Sequence, residues 1–274
     1  MRGLLVRLGD LLATVLLSTR LSPLLTMTVG DVRLRFYPAA MCRYLWKDRH
    51  RYDQDVLFIR RFLRPGDLVV DAGANIGLMA VTAARLVGPR GRVVAIEAHP
   101  RTSAYLRHHV ALNGLTNVDV HNVALGDGAG RVHLAEHPGD DAQNHIATGD
   151  GRGVEVPMVP LDRLLPPDRP VALLKVDVEG YEKFVLSGAS RALRETACVY
   201  FESWDRHFAR YHYTDRDLFR WLRSRGFRLY RLEMPQTLVP LAQDHRSPQC
   251  ENLIATRREE ELLRRTGCRL AAAS

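Results

Sequence analysis

From Leu68 onward the sequence alternates between short apolar runs and amphipathic stretches, and this alternation restricts the fold more than any other feature of the chain. Leu68-Val69-Val70 predicts a strand and Leu78 to Leu86 a helix; Arg92 to Ile96 and Thr102 to Leu112 repeat the pair. Val118 to Val123, Val171 to Val176 and Cys198 to Phe201 follow as strands, the middle one rich in Val and Leu as strands buried on both faces are. A helix over Asp215 to Ser224 starts at Thr214 and Asp217, which are placed as a capping pair. Phe227 to Leu232 and Asn252 to Thr256 are the last two predicted strands. Strands separated by helices pair in parallel through right-handed crossovers, which gives an open, doubly wound α/β sheet. Ligands of such sheets sit beyond the C-terminal ends of the strands, so those ends are where chemistry is expected.

Upstream, Thr26 to Phe36 reads as a hairpin around Gly30-Asp31, and Asp53 to Leu63 as a helix stopped by Pro65-Gly66. The organisation expected is an N-terminal helix-and-hairpin extension over 1–52, one α/β domain over 53–257 and a tail over 258–274. At 274 residues the chain can bury a core without disulfides or a structural metal. Its four cysteines form no CxxC pair, which fits a reducing, cytoplasmic setting. The formal charge of +8 raises nucleic acid as a partner, but the excess is scattered arginine with no interleaved aromatic stripe, which argues against it. Leucines at 4, 5, 8, 11, 12 and 16 follow helical spacing. Residues 1–26 therefore predict a helix packed on the body or on a second subunit, with peripheral contact to a membrane surface as the alternative. No apolar run reaches the ~20 residues of a membrane span, and nothing in the sequence sets the oligomeric state.

The first strand ends in Asp71-Ala72-Gly73-Ala74-Asn75-Ile76-Gly77. Gly73 and Gly77 allow a tight turn and close approach to a ligand. Asn75 stands where a dinucleotide fingerprint has its second glycine, and Asp71 puts an anion where a pyrophosphate would be repelled. The same anion suits a ligand with an ammonium and a sulfonium. The second strand ends in Glu97, 26 residues beyond Asp71, where a carboxylate can accept hydrogen bonds from both hydroxyls of a ribose. The fourth ends in Asp177-Val178-Glu179-Gly180, which adds two carboxylates at the same edge. Each feature alone has a plainer reading, as a strand–helix corner, a solvated charge or acids favoured at a helix N-terminus. Together they point to an adenosyl ligand. A nicotinamide-dependent oxidoreductase and a catalytically inactive adenosyl-binding scaffold are the rival readings.

DAGANIG (71–77), IEAHP (96–100), LNGLTNV (112–118), NVALGD (122–127), VPLDRLL (159–165), LKVDVEGYEKFVLSGA (174–189) and NLIATR (252–257) together resemble the FkbM family of S-adenosylmethionine-dependent methyltransferases. The resemblance implies the class I methyltransferase fold, a Rossmann-like, mostly parallel seven-stranded sheet with an antiparallel last strand. It implies that Asp71, Gly73 and Asn75 line the methionine part of S-adenosylmethionine, with Ala74 and Gly77 in the same loop. Glu97, with Ala98 beside it, would hold the ribose; Ala124 to Asp127 would approach the adenine, and Asp177 the transferable methyl. His99 and Tyr181 depart from the family pattern, which bears on acceptor contacts. Methylation of a hydroxyl on a natural product, sugar or glycan is the expected reaction. Asp177 and Glu179 are the first candidates for its base; His145 is the next, followed by His207 and His212. A divalent metal held by Asp177 and Glu179 is an alternative way to activate a hydroxyl, but the sequence supplies no third ligand. Segments 1–52, 128–160 and 202–248 are expected to choose the acceptor, with Trp204, Phe208, Tyr211 and Tyr213 as a stacking wall.

Overall fold

A computed structural model describes residues 22–149, 152–233 and 236–271. The hairpin β1 (Thr26–Val29) and β2 (Val32–Arg35) leads into helices α1 (Ala40–Lys47) and α2 (Asp53–Phe62). Strand–helix units follow as β3 (Leu68–Ala72), α3 (Leu78–Val87), β4 (Arg92–Ile96), α4 (Pro100–Leu112) and β5 (Val118–His121). An excursion of four short strands, β6 (Ala124–Leu125), β7 (Gly130–Ala135), β8 (His145–Ile146) and β9 (Val154–Val159), separates these from β10 (Val171–Val176). Helices α5 (Glu182–Ser187) and α6 (Ala192–Glu195), strand β11 (Cys198–Ser203) and helices α7 (Asp205–Ala209) and α8 (Asp215–Arg223) come next. The described chain closes with β12 (Arg228–Glu233), β13 (Thr237–Pro240), β14 (Glu251–Thr256), α9 (Glu259–Thr266) and β15 (Arg269–Leu270).

The main sheet has the order β15-β13-β12-β14-β11-β10-β3-β4-β5. The five strands from β11 to β5 run parallel, and β14 lies antiparallel between β11 and β12. The expected seven-stranded sheet with its antiparallel last strand is therefore present, and β13 and β15 extend it at one edge. Side chains alternate between the two faces, as the two-residue period of a strand requires. Val69, Val93, Leu173, Tyr200 and Ile254 pack toward α2, α3 and the hairpin, whereas Val70, Val94, Leu174, Val199 and Leu253 pack toward α5, α6 and α8. The first face also buries Met27, Val32, Leu34 and Phe36 of the hairpin and Leu262 of α9, so both chain-end segments share the core of the sheet. The helix expected within residues 1–26 falls largely outside the described residues. Among the described residues no helix is long and apolar enough to cross a membrane.

α8 forms as its sequence indicates. Thr214 Oγ1 accepts the Asp217 N–H at 3.3 Å while Asp217 Oδ2 accepts the Thr214 N–H at 2.9 Å, a reciprocal cap, and Leu218, Phe219 and Leu222 are buried. The segment expected to be a strand through Val123 breaks after His121. β6 leaves the main sheet there to join a four-stranded sheet of order β6-β9-β7-β8. This second sheet carries the β7–β8 loop toward the strand ends.

Candidate functional site

The switch point of the sheet lies between β3 and β10, from which the strands progress in opposite directions. Register sets Lys175 beside Asp71 on one side and Tyr200 on the other, so all three project from the same face. Lys175 Nζ sits 3.4 Å from Asp71 Oδ1 and 3.2 Å from Asp177 Oδ2. Burial works against its charge, but Asp177 and Asp71 outweigh it and hold the ammonium above its ordinary range. Asp55 of α2 closes this face: its Oδ1 accepts from the Tyr200 hydroxyl and from Asn252 Nδ2. Among the described residues neither oxygen of buried Asp71 has a hydrogen-bond partner.

Gly73 turns the chain out of β3 with φ +79°, and a Cβ there would stand 1.7 Å from the carbonyl oxygen of Asp177. Only glycine lets the β3 and β10 corners touch in this way. Asn75 takes a left-handed φ of 49°, which Asn tolerates better than other residues with a side chain. Its N–H donates to Glu97 Oε2 at 2.9 Å, and the His99 N–H donates to Glu97 Oε1 at 2.9 Å. Burial pushes the Glu97 carboxyl up to about 7 despite these two bonds. Glu97 is thus both a brace for the glycine turn and a half-buried acid.

After β10, Asp177 keeps 35 % of its side-chain surface exposed, and burial raises it to about 6 against the pull of Lys175. Glu182 is fully buried beneath the next turn, where Oε1 accepts the N–H groups of Val178 (2.9 Å) and Gly180 (3.2 Å). The Tyr213 hydroxyl donates to the Gly180 carbonyl at 2.6 Å. These bonds hold Glu179 at φ +57°, an uncommon backbone for a glutamate. Burial and the neighbouring Glu202, Asp177 and Glu182 push Glu179 up to about 10. Its Oε2 lies 3.2 Å from His207 Nδ1, which is 3.6 Å from Glu202 Oε2. Burial opposes ionisation of Glu202, yet His207 and the Cys250 thiol, whose Sγ donates to Oε1 at 2.9 Å, hold it below its usual range.

These groups line one cavity of about 660 Å³. Its far wall is the β7–β8 loop, including Asp140 and Asp141, with His145 at the start of β8. α1 grips that loop: the Ala40 N–H donates to Asp141 Oδ1 at 2.6 Å, the Tyr44 hydroxyl to Asp140, and Arg43 to the Gly139 carbonyl. His145 Nδ1 pairs with the Gln143 carbonyl at 3.0 Å, which as N–H donation leaves Nε2 to accept a proton.

The strand ends bring together Asp71, Gly73, Ala74, Asn75, Glu97, Ala98, Ala124, Asp177, Glu179 and His145 on this one cavity. Gly77 lies behind it as the N-cap of α3. Asp127, expected near an adenine, is instead exposed and outside the lining, in the turn that leads from β6 to β7 of the second sheet. The expected aromatic wall is corrected to Trp204 and Tyr181. Phe208, Tyr211 and Tyr213 are buried under the β10 turn, where Tyr211 and Tyr213 donate to the Ile146 and Gly180 carbonyls. His212 is exposed and lies outside the lining. Sequence reasoning passed over Lys175, Asp55, Tyr200, Asn252, Glu202 and Cys250. The available signal was Lys175, a charge inside an otherwise apolar strand.

The family model described as the methyltransferase FkbM domain matches residues 71–229. A stretch of 66 residues is 38 % identical to a protein-L-isoaspartate O-methyltransferase of Aeropyrum pernix; it covers 24 % of this chain and only 25 % of that relative. Similar solved structures include an S-adenosylmethionine-dependent methyltransferase of Aquifex aeolicus, 16 % identical over 76 % of this chain and 93 % of that one, with a TM-score of 0.45. A precorrin-6y C5,15-methyltransferase of Geobacter metallireducens is 14 % identical over 74 % and 86 % of the two chains, with a TM-score of 0.43.

Proposed function

The chain belongs to the methyltransferase FkbM family, and from that premise we propose that it transfers the methyl group of S-adenosylmethionine to a hydroxyl of a natural product, sugar or glycan. The observation that carries the site assignment is the convergence of Asp71, Glu97 and Asp177, from the ends of three adjacent strands, on one cavity. S-adenosylmethionine, when bound, supplies an electrophilic methyl group on a sulfonium.

The cavity fits that molecule in two respects. The Asp71 carboxylate is buried and paired with Lys175 across 3.4 Å, yet neither of its oxygens accepts a hydrogen bond among the described residues, so both could accept from a cationic amino group. Glu97 spends one lone pair of each oxygen on the turn N–H groups, which leaves acceptor capacity for two ribose hydroxyls. Gly73, Ala74 and Asn75 would cradle the amino-acid end, and Ala98 and Ala124, small side chains at the cavity wall, would flank the nucleoside. Asp127 is left out of this set because it is exposed.

In-line displacement depends chiefly on placing the acceptor oxygen against the methyl carbon. Asp177 is the proposed base. It faces the cavity, is partly exposed, and is held on one oxygen by Lys175, so the other oxygen can take the hydroxyl proton as the new bond forms. His145 is the second candidate. The acceptor would lie between α1, the β7–β8 loop and Trp204, walls supplied by the segments outside the common strand–helix frame.

The test pairs calorimetric binding with methyl-labelled turnover on a panel of hydroxylated sugars and natural products. S-adenosylmethionine should bind and NADH should not, and the label should appear in an alkali-stable ether. Asp177→Asn should lower kcat by about 10²-fold or more while the S-adenosylmethionine Kd stays within about threefold. Binding of NADH alone, label found only on nitrogen, or full turnover by Asp177→Asn would each overturn the proposal.

A further inference from the structure

Glu179, Glu202 and His207 come from three elements, the turn after β10, the end of β11 and α7, and meet at one corner of the cavity. One ligand atom from each of Glu179, Glu202 and His207 lies within 4.8 Å of the other two, and His207 Nδ1 stands 3.2 Å from Glu179 Oε2 and 3.6 Å from Glu202 Oε2. His207 is 5 % exposed, and among the described residues its Nδ1 finds no hydrogen-bond partner although Glu179 Oε2 is 3.2 Å away. The nitrogen thus stands close to both carboxylates without an aligned hydrogen bond to either. Ligand atoms bound to one ion at right angles, with bonds of about 2.1 Å, stand about 3 Å apart; the two distances from Nδ1 are 3.2 and 3.6 Å. Charge points the same way. Eight carboxylates line the cavity against the cations Lys175 and Arg51, and Lys175 is committed to Asp71 and Asp177 at the other end. The Cys250 thiol donates to Glu202 Oε1, which leaves Oε2 free.

We propose that Glu179 Oε2, Glu202 Oε2 and His207 Nδ1 form a binding site for one divalent cation, with the remaining coordination positions open to the cavity. Two carboxylates and an imidazole suit a first-row ion such as Mn²⁺ better than a purely oxygen-seeking ion. Three protein ligands with open positions are the arrangement of a site that takes an outside oxygen. The use of those positions, to hold an acceptor hydroxyl and lower its pKa, rests on the hydroxyl-methylation reading above; the binding of the ion does not.

The probe is Mn²⁺ added to the chelator-treated full chain with neither cofactor nor acceptor present. Loss of the free-ion paramagnetic signal counts bound sites. The Trp204 ring lies 4.1 Å from the His207 ring, so the bound ion should quench its fluorescence, and Trp204→Phe should remove that quenching. One ion per chain is expected, with affinity reduced at least tenfold in both Glu202→Gln and His207→Asn. Absence of saturable binding to the native chain, or saturable binding that neither substitution weakens, would overturn the site. If a variant does not fold, as judged by circular dichroism, stoichiometry and Trp204 quenching in the native chain still decide. Mn²⁺ binding without methylation of any hydroxyl would leave the site standing and remove the acceptor reading instead.

Discussion

Glu97 should make nucleoside binding depend on pH in a way that a single substitution abolishes. Its carboxyl is half-buried and titrates near about 7, with burial the main cause and Asp71 of β3 and Asp141 of the β7–β8 loop adding to the rise. The other groups at hand are the Asn75 and His99 N–H donors, and the His99 ring is paired with Glu136 at 3.1 Å. Glu97 can accept from both ribose hydroxyls only when ionised. Below pH 7 the proton must leave first, and affinity falls about tenfold per pH unit, or about 2.7 kcal/mol between pH 7 and pH 5. Methylthioadenosine isolates the effect, since it carries the ribose without the amino-acid end that Asp71 would meet. Calorimetric titrations from about pH 5 to about pH 8.5 should give log Kd a slope near −1 below 7 and a plateau above it. Glu97→Gln should bind more weakly on the plateau, by about 1.5–3 kcal/mol for a lost charge-assisted bond, and show no slope. The ligand-free fold should respond as well. The unfolded carboxyl ionises near 4.5 and the folded one near about 7, so the folded state holds its proton longer. Stability is then lost as pH rises between those values, by about 3 kcal/mol in all, and the variant should lack this loss. A flat profile for the native chain, or a slope that survives in Glu97→Gln, would show that the ribose is held elsewhere.

Two further substitutions test the corner itself. Gly73→Ala should unfold the protein or cost several kcal/mol, because the new Cβ collides with the Asp177 carbonyl at a backbone angle alanine avoids; a native Tm with native S-adenosylmethionine binding would contradict this. Lys175→Met should cost about 3–5 kcal/mol in chemical denaturation, since it leaves two buried or half-buried carboxylates facing each other without their cation; an unchanged midpoint would show that the triad contributes nothing to stability.

Much of this molecule was determined locally. Alternating apolar runs and amphipathic stretches specify the doubly wound sheet because each element must bury one stripe or two faces, whatever its partners are. Asp71, Gly73, Glu97, Asp177 and Glu179 could be read from the sequence because each sits at the end of a strand, and strand ends in such sheets converge by topology. The tertiary structure decided what those groups meet. The sequence shows Lys175 as a charge in an apolar strand; only the register with β3 makes it the cation between Asp71 and Asp177. Asp55 and Asn252 are 197 residues apart and share a hydrogen bond only because α2 packs against the face of the sheet that includes β14. Asp127 and the aromatics at 208, 211 and 213 were misplaced for the opposite reason. Their types suit a ligand wall, but the turn from β6 to β7 exposes the first and packing under the Glu179 turn buries the others. Local order says which residue types stand where the chain turns. Which side chains then share a cavity depends on contacts between elements far apart in sequence, and those are settled by how the faces pack.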